Sequence, residues 1–263
     1  MNNVFVFDIE TVPDVEAGRR LYGLDGLSDG DVAQVMYTVR RQQTGGNDFL
    51  RLHLQRVVAI SLAVRTRDWF KVWSLGEVDA PEAELVRRFF DGVERYTPTL
   101  VSWNGGGFDL PVLHYRALRH GIPAPRYWET GADDQGFRWN NYLNRFHERH
   151  TDLMDVLSGY QARAVAPLDE IATLLGLPGK MGMDGAQVWE RYLEGELGAI
   201  RDYCETDVIN TYLVYLRFEQ IRGRLGAEEY QRECQLVRDT LNQDDRPHLR
   251  RFLAAWPAPQ DHG

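Results

Sequence analysis

The segment from residue 3 to residue 9, Asn-Val-Phe-Val-Phe-Asp-Ile, constrains the fold most, because it is apolar on both faces when extended. A strand with one face in water would instead alternate apolar and polar residues. A continuous apolar run of this length predicts a central strand that is covered by other elements on each side. The chain is therefore expected to fold as an α/β protein.

The elements that follow indicate a mixed sheet. Two β-rich runs, at residues 57–64 and 69–75, are separated by Arg-Thr-Arg-Asp and predict an antiparallel hairpin. Two strands in succession exclude a simple repeat of strand, helix and strand. A short buried strand is predicted at residues 99–103, and helices are predicted at 81–96, 109–119, 152–160, 168–175, 197–217 and 227–241.

Two parts of the chain are predicted as additions to this sheet. Residues from about 14 to 47 are helical and polar up to the loop signal Thr-Gly-Gly-Asn, and they predict a helical insertion after the first strand. Residues 221–263 predict one more helix and a basic, proline-containing tail packed on the same domain. We thus expect one main domain at residues 1–220, and 43% hydrophobic residues suffice for its core.

Asp8 and Glu10 stand two residues apart at the end of the first strand. The two-residue period of a strand places both carboxylates on one face. Two buried anions side by side are costly unless a cation compensates them, and hard divalent ions such as Mg²⁺ and Mn²⁺ prefer carboxylate oxygens. The pair is therefore a candidate metal site, although a solvated strand end gives the same short pattern.

Asp109 stands at a predicted helix start, just before Leu-Pro. Taken alone, it is more simply a helix cap whose side chain accepts a hydrogen bond from a free backbone N–H. The preceding Asn-Gly-Gly-Gly-Phe at residues 104–108 forms a loop at the C-terminal end of a strand, where α/β folds tend to place ligands. The loop lacks the Gly-Lys-Ser/Thr ending of a P-loop, so it does not indicate a nucleoside triphosphate site.

Tyr203 and Asp207 lie four residues apart on the long predicted helix and so share a face. A lone buried carboxylate would neutralise or destabilise the fold, and no lysine or arginine shares this face. Asp207 therefore needs a partner, which is either a bound cation or, if the side chain is partly exposed, a remote arginine. The other residues that project to the same side are Ile200, Cys204, Thr211, Val214 and Phe218.

Three short motifs follow one another along the chain: Asp8-x-Glu10, Asn104-x-x-x-Phe108-Asp109 and Tyr203-x-x-x-Asp207. Together they resemble the exonuclease motifs of the DEDD superfamily, tyrosine subtype. The chain is similar to a bacterial family of predicted 3′→5′ exonucleases related to the proofreading domain of family-B DNA polymerases. The resemblance covers about residues 1–220 and includes His-x-Asp-Leu-Met-Asp at 150–155. The histidine subtype would need His at position 202, where this chain has Asp.

The resemblance implies an RNase H-like fold, a mixed sheet of five or six strands flanked by helices. It also implies an enzyme, a two-metal 3′→5′ exonuclease that hydrolyses single-stranded nucleic acid, with DNA favoured over RNA, to nucleoside 5′-monophosphates. Sequence alone does not distinguish DNA from RNA, because the loops that would contact a 2′-OH cannot be located.

The resemblance also assigns roles to the motif residues, with two Mg²⁺ or Mn²⁺ ions as cofactors. Asp8, Glu10 and Asp207 would hold the ion that lowers the pKa of a water, and Asp8 would bridge to a second ion near the leaving 3′ oxygen. Asp109 would complete the metal site. Tyr203 is assigned to orienting the attacking water, because a phenol with a pKa of about 10 is a poor base at neutral pH.

Four residues near the motifs are candidate substrate contacts: Thr11, Asn104, Phe108 and Lys180. Asn104 and Phe108 flank the predicted site, whereas Lys180 either approaches a phosphate or is an ordinary exposed loop lysine. The irregular segment 126–150 interleaves aromatic residues with arginines, a combination suited to single strands. A hydrophobic cluster beneath a long loop is the favoured interpretation of that segment.

Composition limits the partners and the compartment. The 39 acidic residues exceed the 30 basic ones, and a formal charge of −9 disfavours a protein that coats duplex DNA. The expected partner is a single-stranded 3′ end of DNA or RNA, and a polymerase or repair partner would act in trans. Two cysteines give no disulfide framework, and the first apolar run is too short for a signal core or a membrane span. We therefore expect a cytoplasmic protein.

Two alternatives from other classes remain open on the sequence. Phe-Asp-Ile-Glu-Thr at residues 7–11 also resembles the start of haloacid dehalogenase-like phosphatases, whose first carboxylate is a covalent nucleophile. Glu10 replaces the second Asp of that motif, and the predicted hairpin does not suit that fold. The second alternative is a non-catalytic nucleic-acid-binding module on a nuclease fold.

Overall fold

The computed structural model of the chain describes residues 3–257, and its centre is a mixed five-stranded sheet in the order β3-β2-β1-β4-β5. The first three strands are antiparallel, whereas β4 and β5 run parallel to β1. This arrangement confirms the predicted α/β, RNase H-like sheet flanked by helices. The strands are β1 (Val4–Pro13), β2 (Gln55–Arg65), β3 (Phe70–Ser74), β4 (Thr99–Ser102) and β5 (His150–Asp152).

Eleven α-helices cover the sheet within the described residues. None of them has the length and apolarity needed to span a membrane. In chain order they are α1 (Val15–Tyr22), α2 (Asp29–Thr44), α3 (Glu82–Tyr96), α4 (Asp109–His120), α5 (Pro125–Trp128), α6 (Leu153–Leu157), α7 (Leu168–Leu174), α8 (Val188–Leu193), α9 (Leu197–Ile221), α10 (Ala227–Asn242) and α11 (Pro247–Ala255).

Strand β1 is the central strand, and its two faces belong to different layers. Phe5, Phe7 and Ile9 pack with α3 and α4 in one core. Val4 and Val6 pack with α9 and α10 in the other. Full burial of one such side chain is worth about 1.5–3 kcal/mol, so both layers hold β1 in a fixed register. The predicted apolar run is thus explained by a strand that is covered on both sides.

The predicted insertion of residues 14–47 contains α1 and α2, which pack on each other and on the chain that follows them. A buried arginine ties the start of the insertion to the rest of the molecule. The Arg116 guanidinium on α4 donates to Asp14 Oδ2 at 2.6 Å and to Glu82 Oε2 at 2.5 Å. The insertion is therefore fixed against α3 and α4 and does not hang free of the sheet.

Three elements differ from the sequence predictions. Residues 150–152 form β5 where a helix was predicted to begin, and this three-residue strand is too short to show an alternating pattern. Helix α8 (Val188–Leu193) was not predicted from the sequence. Residues 247–255 of the predicted C-terminal tail form α11 instead, which begins at Pro247 and buries Leu249 and Phe252 on one side. Residues 258–263 of that tail lie outside the described residues.

Candidate active site

The open end of β1 carries the first two motif residues. Strand β4 pairs with β1 only along residues 4–6, so β1 has no strand partner on that side beyond Val6. Asp8 and Glu10 follow Val4 and Val6 on the face that points towards α9. The register with β2 shifts between Glu10 and Thr11, and such bulges re-aim side chains at functional sites. The sheet therefore leaves room for ligands at these carboxylates.

Asp109 joins the same end of β1 from the opposite layer. Its Oδ1 atom accepts a hydrogen bond from the backbone N–H of Ile9 at 3.1 Å. Phe108, rather than Asp109, is the residue that precedes the first turn of α4, and no side chain caps that helix end. The simple capping interpretation of Asp109 is therefore wrong, because the carboxylate satisfies an N–H group of β1 instead.

The loop before α4 is held in place by a carboxylate of β5. Asp152 accepts hydrogen bonds from the backbone N–H groups of Asn104, at 2.9 Å, and Gly106, at 2.8 Å. Asn104 has a φ of 63°, a left-handed conformation that Asn tolerates better than most residues. A Cβ atom on Gly105 would lie 2.3 Å from Ser102 Oγ, so this position requires glycine. These contacts fix the start of α4 and hence Asp109.

Helix α9 brings the third motif to Asp8. The Cys204 Sγ atom lies 3.4 Å from both the backbone oxygen and Oδ2 of Asp8. Tyr203 and Asp207 flank Cys204 on the same stretch of α9, and both side chains are partly buried. The neighbouring Glu205 is buried and accepts hydrogen bonds from Arg246, at 2.6 Å, and His248, at 2.8 Å. These C-terminal contacts, which no sequence pattern indicates, brace this part of α9.

The four acidic motif residues influence one another electrostatically, which indicates that they converge. Burial and the charge of Asp109 raise the pKa of Asp8. Burial and the charges of Asp8, Asp207 and Asp109 raise the pKa of Glu10. Burial raises the pKa of Asp109 to about 7, and burial together with the charge of Asp8 raises that of Asp207 to about 8. Each group thus resists ionisation unless positive charge is added.

Tyr203 belongs to the same cluster. Burial raises the pKa of its phenol, and the charges of Asp207, Glu10 and Asp8 raise it further. The hydroxyl therefore stays protonated at physiological pH and can act as a hydrogen-bond donor or acceptor, but not as a base.

The donor set fits a hard divalent cation. No lysine or arginine in residues 3–257 forms an ion pair with Asp8, Glu10, Asp109 or Asp207. The Sγ atom of Cys204 and carboxylate oxygens of Asp8 and Glu10 lie within 4.8 Å of one another. Burial and the charges of Asp8 and Glu10 raise the pKa of the Cys204 thiol, so it remains S–H. The carboxylate oxygens are the suitable ligands, and Mg²⁺ or Mn²⁺ is the matching class of ion.

A cleft of about 830 Å³ opens next to Glu10, and three of the four predicted substrate contacts line it. These are Thr11, Asn104 and Phe108. Lys180 is not among the lining residues; it is exposed and pairs with Asp184 at 2.9 Å, although its charge still lowers the pKa of Asp207. The cleft also contains aromatic residues that the motifs do not include: Tyr37, Phe49 and Trp189.

The aromatic segment 126–150 divides between core and surface. Tyr127, Phe137 and Tyr142 are buried in the core beside α3 and α4, which agrees with the favoured interpretation. Trp139 and Phe146 are 80% and 69% exposed and do not line the cleft beside Glu10. Half of its six aromatic side chains therefore serve packing, since Trp128 is also 50% exposed.

Comparison with known proteins relates the chain to DNA polymerases. A DNA polymerase of Archaeoglobus fulgidus is 25% identical over 158 residues, which are 59% of this chain and 19% of the polymerase. A catalytic subunit of DNA polymerase epsilon from Arabidopsis thaliana is 23% identical over 229 residues, which are 82% of this chain and 10% of that protein. The chain spans less than a fifth of the length of either relative.

A family model described as a predicted 3′-5′ exonuclease related to the exonuclease domain of PolB matches residues 47–256. The matched range contains Asn104, Asp109, Tyr203 and Asp207, and it begins after the Asp8 and Glu10 pair. It also extends through α10 and α11, beyond the range of the predicted resemblance. Nothing in this match supports the phosphatase alternative. The chain belongs to this family of predicted 3′-5′ exonucleases related to the exonuclease domain of PolB.

Proposed function

We propose that this chain is a two-metal 3′→5′ exonuclease that hydrolyses single-stranded nucleic acid, preferably DNA, to nucleoside 5′-monophosphates. The observation that carries the proposal is the convergence of Asp8, Glu10, Asp109 and Asp207. The charge of Asp109 raises the pKa of Asp8, the charge of Asp8 raises that of Asp207, and all three raise that of Glu10. Such a concentration of buried negative charge is tolerated when cations compensate it.

The four carboxylates would hold Mg²⁺ or Mn²⁺ through their oxygens. Bound ions would lower the pKa of a coordinated water and stabilise the charge that develops on the leaving 3′ oxygen. Asp109 uses Oδ1 to bind β1, and we assign its Oδ2 to a cation or to a water on that cation. This division would let one carboxylate both fix α4 and face the phosphodiester.

Tyr203 is assigned to orienting the attacking water. Its hydroxyl stays protonated beside the carboxylates, so it can donate a hydrogen bond without removing a proton. Thr11 donates its hydroxyl to Gln55 Oε1 at 3.0 Å and lines the cleft with Asn104 and Phe108. We assign these three residues to holding the terminal nucleotide. Lys180, whose charge lowers the pKa of Asp207, is assigned a weaker role as a cation that could approach a phosphate.

A digestion panel tests the proposal directly. Single- and double-stranded DNA and RNA, labelled at the 5′ end, are incubated with the protein and Mn²⁺, with EDTA as the control. We expect a ladder that shortens from the 3′ end on single strands, most strongly on DNA, and no product in EDTA. Asp207→Asn serves as the matched inactive protein.

Two outcomes would contradict the proposal. Full activity of Asp207→Asn would show that a contaminating nuclease produces the ladder. Degradation of a closed circular single strand as fast as of a linear one would exclude a requirement for a free 3′ end. Binding of single strands without hydrolysis would instead favour the non-catalytic alternative.

A further inference from the structure

We infer that the insertion between β1 and β2, together with the segment around Trp189, forms a base-stacking cleft that binds the last nucleotides of an unpaired 3′ end without a cationic side chain among its own lining residues. This inference deepens the proposed exonuclease function and rests on it.

The cleft has two walls that no exonuclease motif supplies. One wall comes from the insertion and the loop after it, through Tyr37 on α2 and Phe49. The other comes from the first turn of α8, through Trp189. Glu10 lines the same cleft, so the cleft reaches the acidic pair of β1. Its volume of about 830 Å³ lies within the range of about 300–1,000 Å³ that is typical of pockets for small ligands.

Two aromatic rings of the cleft are held by contacts with other rings and remain partly exposed to solvent. Phe49 is 52% exposed, and its ring centroid lies 5.8 Å from that of Phe108. Trp189 is half-buried and stacks on Tyr192, with ring centroids 5.7 Å apart and planes inclined by 16°. Rings that are fixed in this way lose little conformational freedom when a base stacks on them. They therefore suit nucleobases, all of which have a π face.

The charge of the cleft excludes recognition through phosphates. Among the described residues that line it there is no lysine or arginine, whereas Glu10, Asp48 and Glu190 are acidic. Arg41 lies close by, but its guanidinium is engaged with Asp48 at 2.6 Å. In a duplex the base faces are stacked on each other and the phosphates are exposed, so a duplex can neither stack on these rings nor find a cation here. An unpaired end presents its bases, which is why we commit to that occupant.

This mode of binding predicts a weak salt dependence. Each phosphate that a protein neutralises on a single strand contributes a slope of about −0.7 to log affinity against log salt concentration. Lys180, outside the cleft, is the one cation that we assign to a phosphate, so we expect a slope between about 0 and −1. A nuclease that follows the backbone with several arginines would show a much steeper slope.

Steady-state kinetics on a 5′-labelled oligothymidylate, at fixed Mn²⁺ and several NaCl concentrations, test the inference. Phe49→Ala and Trp189→Ala should each raise KM by about 5- to 100-fold, which corresponds to the loss of one stacked base. Their kcat should change by less than about threefold, because stacking acts at a distance from the reacting phosphate. Trp139→Ala, which removes an exposed ring outside the cleft, is the matched control and should leave KM unchanged.

Substitutions that keep or remove the ring separate stacking from packing. Trp189→Phe should recover most of the lost affinity, and Phe49→Leu should not, although it retains apolar volume. Melting temperatures of all variants verify that they fold. An unchanged KM in both alanine variants, or a salt slope steeper than about −2, would overturn the inference.

A binding measurement separates this inference from the proposed function. Fluorescence anisotropy of the same oligonucleotide reports binding to Asp207→Asn, and to the unmodified protein if that protein proves inactive. Binding that is weakened by Phe49→Ala, in a protein that hydrolyses nothing, would refute the exonuclease and support the cleft. Hydrolysis with a KM that neither alanine variant changes would support the exonuclease and refute the stacking cleft. Neither binding nor hydrolysis would overturn both.

Discussion

The Asp109 carboxylate accepts a hydrogen bond from the backbone N–H of Ile9, 3.1 Å away, and so joins the first turn of α4 to the open end of β1. This bond takes the place of the strand pairing that β4 no longer supplies beyond Val6. The bond also places the buried Asp109 carboxylate close enough to Asp8 for its charge to raise the pKa of Asp8. Asp109 therefore combines a structural bond with a place in the acidic cluster, and substitution can separate the two.

Asp109→Asn removes the charge but retains an oxygen that can accept from Ile9. We expect it to melt close to the unmodified protein and to lose at least about 100-fold in exonuclease rate, as for the loss of one electrostatic stabiliser. Asp109→Ala should lose the same activity and, in addition, about 1–3 kcal/mol in the free energy of unfolding. Urea denaturation and single-turnover digestion measure the two effects. Equal stability of both variants would contradict the structural role.

Tyr203→Phe should be the mildest substitution in the cluster. The phenol orients water but does not act as a base, so we expect a loss of about 10-fold, less than the 10²–10⁴-fold typical of a missing general base. Asp8→Ala should abolish measurable activity, because Asp8 is expected to contact both ions. The same single-turnover assay compares them. A Tyr203→Phe protein as inactive as Asp8→Ala would require a direct chemical role for the hydroxyl.

Without divalent ions, stability should decrease with rising pH. Asp207 has a folded pKa of about 8 and Asp109 one of about 7, whereas an unfolded Asp titrates at about 3.9. Between these values the folded protein binds more protons, so the free energy of unfolding falls from about pH 4 through about pH 8. Denaturation in EDTA measures this slope, which Asp207→Asn should flatten.

Divalent ions should reverse that loss. Metal binding displaces protons from the carboxylates, so Mn²⁺ should raise the melting temperature more at pH 8 than at pH 6. Asp207→Asn, which lacks one of the ligands, is the control and should respond less at both pH values. A pH-independent effect of Mn²⁺ would contradict the assignment of these carboxylates as ligands.

Gly105→Ala should destabilise the loop before α4. The added Cβ would lie 2.3 Å from Ser102 Oγ and 2.5 Å from Ser102 Cβ, and both atoms are buried beneath the loop. We expect a cost of about 1–3 kcal/mol, the usual range for overpacking. Gly198→Ala is the control, since its added Cβ would meet no atom within 4 Å beyond its chain neighbours and the backbone of its own helix, and the change should be neutral or stabilise by up to about 1 kcal/mol. Similar melting temperatures for the two variants would refute the close approach.

The sequence predicted the sheet and the carboxylates because both leave local patterns. The apolar run of β1, the hairpin of β2 and β3, and the four-residue spacing of Tyr203 and Asp207 each lie within a few residues. The partner of Asp109 could not be found in this way, because Ile9 is 100 residues distant and donates only a backbone group. A capping interpretation was the simplest local one, and a long-range contact replaced it.

Strand β5, the cleft walls and helix α11 were not predicted for the same reason, because each depends on contacts between distant parts of the chain. Strand β5 has three residues, and its main role is to present Asp152 to the loop at Asn104. The cleft walls come from α2 and α8, which are separated by more than half the chain and show no shared motif. Helix α11 buries its apolar side against α9 and α10, but its proline and arginines are equally typical of a tail. Only the folded arrangement brings such elements together.

The two faces of β1 have a consequence for how this chain can evolve. Its odd-numbered residues fill one core, while its even-numbered residues supply first the other core and then the acidic pair. Deletion or addition of a single codon between Val4 and Glu10 would exchange these sets, so that phenylalanines would point towards α9 and carboxylates into the core formed with α3 and α4. Length variation among descendants should therefore accumulate after Pro13, where α1 and α2 already occupy an expanded connection, and should be absent from the seven positions before Thr11.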